Sequence, residues 1–176
     1  SFETRKNWNE FFLVDPIDGT KEFIKKGGDF TINIAYCVGN HVVDGVVFAP
    51  AKDLLYYTDG AHSFVEENNT KSQIPCERPS KYTVVASKSH MNDDTRNYLE
   101  SLGDIETLQI GSSLKICMIA HGRANEYPRL GPTMEWDTAA AHAVLKKAGG
   151  NLVDFKTREE LEYNKENLLN PYFLGK

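Results

Sequence analysis

The stretch Val14-Asp15-Pro16-Ile17-Asp18-Gly19-Thr20 constrains this chain more than any other. An apolar run, Phe11-Phe12-Leu13-Val14, leads into it and reads as a buried strand. Aspartates at the end of such a strand are costly unless something positive pairs with them. Pro16 fixes its own φ and biases Asp15 toward an extended conformation. Gly19 lets the backbone approach a ligand closely, and Thr20 adds a hydroxyl. Hard oxygen ligands on a stiff turn suit Mg²⁺, which is usually held by one or two carboxylates plus substrate phosphate. Asp15 and Asp18 can reach one metal cluster if the chain turns between them, with the Ile17 carbonyl as a third oxygen on the same turn.

Composition narrows the setting. The 176 residues suffice for one domain or two small ones, and 40% of them are hydrophobic, enough for a real core. A net charge of −5 gives no support for binding nucleic-acid polymers or anionic membranes. An enzyme acting on an anionic substrate can still be acidic, because bound metals supply local positive charge. No run approaches the roughly 18 apolar residues of a membrane span. Cys37, Cys76 and Cys117 are odd in number and lack framework spacing, which predicts reduced thiols and an intracellular, cytoplasmic protein.

Along the chain, residues 1–10 are polar and read as a loop. Residues 29–38 alternate, with Phe30, Ile32, Ile34 and Tyr36 set against Thr31, Asn33, Ala35 and Cys37, which is strand patterning. Gly39-Asn40 makes a two-residue hairpin to a strand over 42–48. Residues 54–58 and 63–66 form a second hairpin around Asp59-Gly60. Residues 67–79 are polar with two prolines and read as a linker. Beyond it the pattern changes: a buried strand at 83–86, a helix over 93–102 stopped by Gly103, and a strand at 108–110. A serine-capped helix spans 112–121, followed by a strand at 124–127, an alanine-rich helix over 137–148, and closing strands at 151–155 and 172–174. Hairpins followed by alternating strands and helices predict a layered α/β fold with mixed sheets. The change near residue 80 divides the chain into a partial, hairpin-rich metal-binding subdomain (1–80) and an α/β substrate subdomain (81–176).

A second acidic motif lies downstream, Glu135-Trp136-Asp137-Thr138-Ala139-Ala140-Ala141. On its own, Asp137 there reads equally as an N-cap, since a carboxylate at a helix start is favoured by the dipole. Together, the two motifs resemble the paired signatures D-P-[IL]-D-G-T and W-D-x-A-A-[GA] of the inositol monophosphatase superfamily of Mg²⁺-dependent, lithium-sensitive phosphatases. The resemblance implies an α-β-α-β-α layered sugar-phosphatase-like fold. It covers nearly all of this chain but only about the last two thirds of a typical member, so the fold is expected to be N-terminally incomplete. It implies two to three Mg²⁺ ions bridging Asp15, Ile17, Asp18 and Asp137 to the scissile phosphate, where a metal-activated water attacks phosphorus in line. Thr20 and Asp15 would be catalytic, Thr20 helping to activate that water with a glutamate from an upstream loop. The Gly19 and Thr20 N–H groups would bind the phosphate. Glu3 and Glu10 are candidates for that glutamate by composition only. Ala141 departs from the glycine common in the family, and the helix should survive the change.

Other residues speak to the substrate. Gly111-Ser112-Ser113-Leu114-Lys115 opens a helix with two hydroxyls and an ammonium, a composition suited to a second phosphate. Tyr127-Pro128-Arg129 adds a guanidinium, a favoured bidentate phosphate partner, and His90 follows a strand end where α/β ligand loops lie. Taken singly, Ser112 reads as a cap, Lys115 and Arg129 as surface charges, and His90 as a surface residue. The runs Asp18–Ile24, Gly111–Lys115 and Tyr127–Thr133 together resemble the 3′(2′),5′-bisphosphate nucleotidases, bacterial CysQ-type enzymes in particular. That resemblance implies hydrolysis of the 3′-phosphate of 3′-phosphoadenosine 5′-phosphate to AMP, and a role in sulfur metabolism. Gly19, Thr20, His90, Ser112, Lys115, Arg129 and Asp137 would hold the nucleotide. The alternatives are an inositol or sugar-phosphate phosphatase, or a catalytically incomplete fragment that only binds nucleotide and metal.

Overall fold

A computed structural model of the chain describes residues 1–75, 79–87 and 91–176. Its first half is an antiparallel meander in which six strands pair in sequence order: β1 Glu10–Asp18, β2 Thr31–Val38, β3 His41–Ala49, β4 Leu54–Asp59, β5 His62–Glu67 and β6 Thr70–Ile74. The short helix α1 (Phe2–Arg5) precedes it, and α2 (Thr20–Ile24) follows β1 directly. The second half holds the parallel pair β7 (Thr83–Ser87) and β8 (Glu106–Ile110), and the antiparallel trio β9 (Tyr127–Arg129), β10 (Leu152–Asp154) and β11 (Phe173–Gly175), in which β11 is central. These two sheets meet at Glu126, which bridges Val84 in parallel just before β9 begins. Helices α3 (Asp93–Ser101), α4 (Leu114–Ala120) and α5 (Glu135–Lys147) complete the layers. The expected α/β fold with mixed sheets is the one observed.

The core lies between the meander and α4/α5. Alternation in β2 turns Thr31, Asn33, Ala35 and Cys37 inward and leaves Ile32 and Ile34 exposed. The small residues face in because α5 approaches the sheet very closely. A Cβ on Gly45 of β3 would sit 2.2 Å from the Ala140 carbonyl oxygen, and the Ser63 hydroxyl donates to the Val144 carbonyl at 2.6 Å. Ala139, Ala140, Ala141 and Ala143 are all buried at this contact, so the alanine run of α5 reflects helix-to-sheet packing as well as helix propensity.

Several boundaries differ from expectation. Residues 2–5 form a helical turn rather than a loop. The segment read as a linker carries β6, a polar edge strand that buries only Ile74 and is held by its backbone pairing with β5; it shows no apolar alternation to announce it. The strand expected at 124–127 begins at Tyr127, since Asn125 and Glu126 spend their backbone groups on β7. The long alanine-rich helix starts at Glu135, two residues before Asp137.

Candidate functional site

Successive side chains of a strand alternate in direction, so residues three apart face opposite ways. Asp15 and Asp18 escape this rule because β1 is bulged between them. Asp15 pairs with Asn33 and Asp18 with Thr31, three steps on β1 against two on β2. The extra residue restores both carboxylates to one side. Pro16, which has no N–H to give to the ladder, sits in the bulge. The Asp15 carboxylate accepts the Ile17 N–H at 3.0 Å, which tightens the turn. The Thr20 hydroxyl donates to the Ile17 carbonyl at 3.3 Å, so those two predicted residues are partners on the exposed outer side of the same turn.

Gly19 carries φ 82°, a left-handed conformation that favours glycine, and caps α2. Both Gly19 and Gly111 press on Asp29. A Cβ would lie 3.0 Å from the Asp29 carbonyl oxygen at Gly19, and 2.8 Å from the Asp29 Cβ at Gly111. The buried Asp29 carboxylate accepts the Gly111 N–H at 3.1 Å and pairs with Lys52 at 3.1 Å. The metal-side turn and the Gly111–Lys115 turn are therefore bolted together.

Ser112 lies one residue before the N-cap position of α4, and its hydroxyl accepts the Leu114 N–H at 3.4 Å. It adopts φ 50°, strained for a residue with a side chain, and Ser113 takes the N-cap position without a side-chain cap bond. The Ser113 hydroxyl is committed elsewhere, to Asn33 at 2.6 Å. Its N–H instead donates to Asp18 at 2.6 Å. Lys115, one turn in, folds back so that its ammonium donates to the Ser112 carbonyl at 2.6 Å. Asp137 is the third residue of α5, and its carboxylate reaches back to the Met134 N–H at 2.8 Å. This is the helix-start role weighed against metal binding, and it employs only one of the two oxygens.

The structure brings Asp15, Asp18 and Asp137 together, with one carboxylate oxygen from each lying within 4.8 Å of the others. Burial pushes Asp18 up to about 6, with Asp137 and Asp15 adding repulsion and Lys115 opposing; Asp15 and Asp137 are also raised, each chiefly by burial. Three crowded carboxylates resisting ionisation are what a hard divalent cation relieves, and their all-oxygen donor set fits one. Asp18, Gly19, Ser112, Lys115, Arg129 and Asp137 line one cavity. Burial lowers Lys115 to about 8, the neighbouring Arg129 adding to the effect. The Arg129 guanidinium donates to the Pro132 carbonyl at 3.0 Å, and among the described residues its buried Nε has no partner. His90 lies outside the described residues.

The model of the inositol monophosphatase family matches residues 1–172. The chain belongs to the inositol monophosphatase family. Curated members similar to it include the 3′(2′),5′-bisphosphate nucleotidase CysQ of Salmonella typhimurium, 44% identical over 98% of this chain and 70% of the relative. The enzyme of the same name from Escherichia coli strain K12 is 43% identical over the same shares. The crystal structure of CysQ from Bacteroides thetaiotaomicron superposes with a TM-score of 0.96 at 38% identity, covering 100% of this chain and 73% of that one. Enzymes of this family are metal-dependent, and the Asp15–Asp18–Asp137 cluster is able to hold a metal ion. No helix among the described residues is long and apolar enough to cross a membrane.

Sequence reasoning missed Asp29, Thr31, Asn33 and Ser113. Thr31 and Asn33 were visible as the polar half of an alternating strand, and their inward orientation follows only from the packing of α5. Ser113 lies within the Gly111–Lys115 run, but its N–H bond to Asp18 joins residues 95 apart in sequence.

Proposed function

We propose that this chain is a Mg²⁺-dependent phosphomonoesterase acting on the 3′-phosphate of 3′-phosphoadenosine 5′-phosphate, and that its acidic cluster and its two cations receive the two phosphates of one nucleotide. One observation carries this reading. Asp18 and Asp137 line the same cavity as Lys115 and Arg129, so anion-repelling and anion-binding groups face a shared space. A phosphate cannot approach the aspartates without a cation between. A second phosphate on the same ligand would meet Lys115 and Arg129 directly.

Asp15, Asp18 and Asp137, with the Ile17 carbonyl, would hold Mg²⁺, which when bound neutralises phosphate charge and activates water for in-line attack. The chain's own residues do the rest. Gly19 presents backbone at the start of α2 from a left-handed turn packed on Asp29. Thr20, tethered to Ile17, would hold the attacking water in place. Ser112 offers its hydroxyl from a turn braced by Lys115, while Lys115 and Arg129 bind the far phosphate. The names of the CysQ relatives, at 43–44% identity, support this substrate over an inositol phosphate.

Phosphate release from 3′-phosphoadenosine 5′-phosphate and from inositol 1-phosphate, each with Mg²⁺, tests the reading. Preferential turnover of the nucleotide, abolished in Asp18→Asn, is expected. Equal or better turnover of inositol phosphate would return Lys115 and Arg129 to ordinary structural charges.

A further inference from the structure

Directly beneath the acidic cluster lie three polar side chains that neither motif contains as a set. Thr31, Asn33 and Ser113 are 0%, 1% and 3% exposed. Their hydrogen bonds close into a ring. The Ser113 hydroxyl donates to Asn33 Oδ1 at 2.6 Å, and Asn33 Nδ2 donates to Thr31 Oγ1 at 3.2 Å. With the Ser113 proton committed, the 2.9 Å contact between Thr31 and Ser113 requires the Thr31 hydroxyl to donate. Each member thus gives one hydrogen bond to the next and accepts one from the previous.

The ring is joined through the backbone to both halves of the site. Thr31 and Asn33 are the β2 residues directly opposite Asp18 and Asp15 across the bulge. Cross-strand partners share a face. Ser113 belongs to the turn that carries Ser112 and Lys115, and its N–H grips the Asp18 carboxylate. Buried polar groups are costly unless fully satisfied, and a satisfied network fixes geometry. A sheet-to-helix contact built from alanine, cysteine and valine has no packing need for such a ring, since apolar residues of the same size would fill the space.

We propose that Thr31, Asn33 and Ser113 are positioning residues. Their ring orients Asp18 for its metal and locks the Ser112–Lys115 turn at a fixed separation from the acidic cluster, so that the spacing of the two phosphate subsites is set beneath the site rather than within it. The proposal rests on the metal and two-phosphate reading above. Groups that orient metal ligands typically govern metal affinity by about 10- to 100-fold.

The test uses the intact protein and three substitutions: Thr31→Val, which keeps shape and removes the hydroxyl, Ser113→Ala, and the conservative Thr31→Ser. Mg²⁺ is titrated calorimetrically without nucleotide, beside thermal unfolding in chelator. Thr31→Val and Ser113→Ala should stay folded in chelator, somewhat less stable for the unpaired ring groups, and should each weaken Mg²⁺ binding by about tenfold or more, while Thr31→Ser should restore binding to within about twofold. In turnover, the KM for the bisphosphate should rise more than the KM for a substrate with one phosphate. Unchanged Mg²⁺ affinity in both hydroxyl-deleted variants, or loss that Thr31→Ser does not rescue, overturns the ring's role while leaving the nucleotidase reading intact. Absence of Mg²⁺ binding in the unmodified protein overturns both.

Discussion

Replacing Lys115 by Met should make the ligand-free protein more stable and a poorer enzyme. Burial depresses Lys115 from 10.5 to about 8, so its charged form is disfavoured in the fold. At about 1.4 kcal/mol per pKa unit, holding that ammonium charged at pH 7 costs about 3 kcal/mol. The bond it makes to the Ser112 carbonyl disappears with it, returning about 1 kcal/mol. A methionine of similar length fills the same space, and the net gain is about 2 kcal/mol, or roughly 4–8 °C in Tm for a chain this size. A base whose pKa falls on folding lends stability that is present above its unfolded value and lost as pH falls through its folded value. The advantage of the variant should therefore be full near pH 7 and shrink as pH rises from about 8 toward 10.5. On the functional side, a charge-assisted bond to phosphate is worth about 1.5–3 kcal/mol, so KM for the bisphosphate should rise by roughly 10- to 150-fold. The reacting phosphate is elsewhere, so kcat should change far less. Thermal unfolding across pH and steady-state kinetics check both halves. A variant that is less stable at pH 7, with KM unchanged, would refute the placing of this ammonium as a strained group kept for a ligand.

Other perturbations have defined outcomes. Asp18 is raised from 3.8 to about 6, so metal-free stability should fall by roughly 2–3 kcal/mol as pH rises through that window; Mg²⁺ should reverse the loss, and Asp18→Asn should flatten both responses in chelator and Mg²⁺ melts. Gly45→Ala would drive a Cβ to 2.2 Å from the Ala140 carbonyl and should destabilise by about 3 kcal/mol in urea unfolding, with the site's metal affinity lost only as far as the fold is. Ser112→Gly relieves a φ of 50° but adds glycine's entropy cost, so stability should stay within about 1 kcal/mol while the KM for the bisphosphate rises, a split visible in parallel melts and kinetics.

The parts of the fold written in local pattern were legible. Apolar alternation marked β2, and glycine turns marked the hairpins that carry β3 to β5. The alanine run and its terminal lysines marked α5. What was not legible depended on contacts distant in sequence. β6 has no apolar face because its role is backbone pairing at an edge. Ile32 and Ile34 are the greasier half of their strand yet point outward, because α5 comes too near the sheet for large side chains on the other face. In the site, the two aspartate motifs and the cations at Lys115 and Arg129 were readable as residues. The bulge that makes Asp15 and Asp18 share a face was not read from the sequence, although Pro16 was a clue to it. The strained Ser112, the grip of Ser113 on Asp18, and the bolt formed by Asp29 between two glycine turns arise only when residues about 80 to 95 apart in sequence meet.

The central claim is that one cavity receives two phosphates of one nucleotide. Its most direct test compares kcat/KM for 3′-phosphoadenosine 5′-phosphate with that for adenosine 3′-monophosphate, which has the same scissile bond and no second phosphate, under saturating Mg²⁺. The account predicts a preference of at least about 100-fold for the bisphosphate, equivalent to two charge-assisted contacts, falling to a small factor when Lys115 and Arg129 are both neutralised. Equal kcat/KM for the two substrates would contradict it.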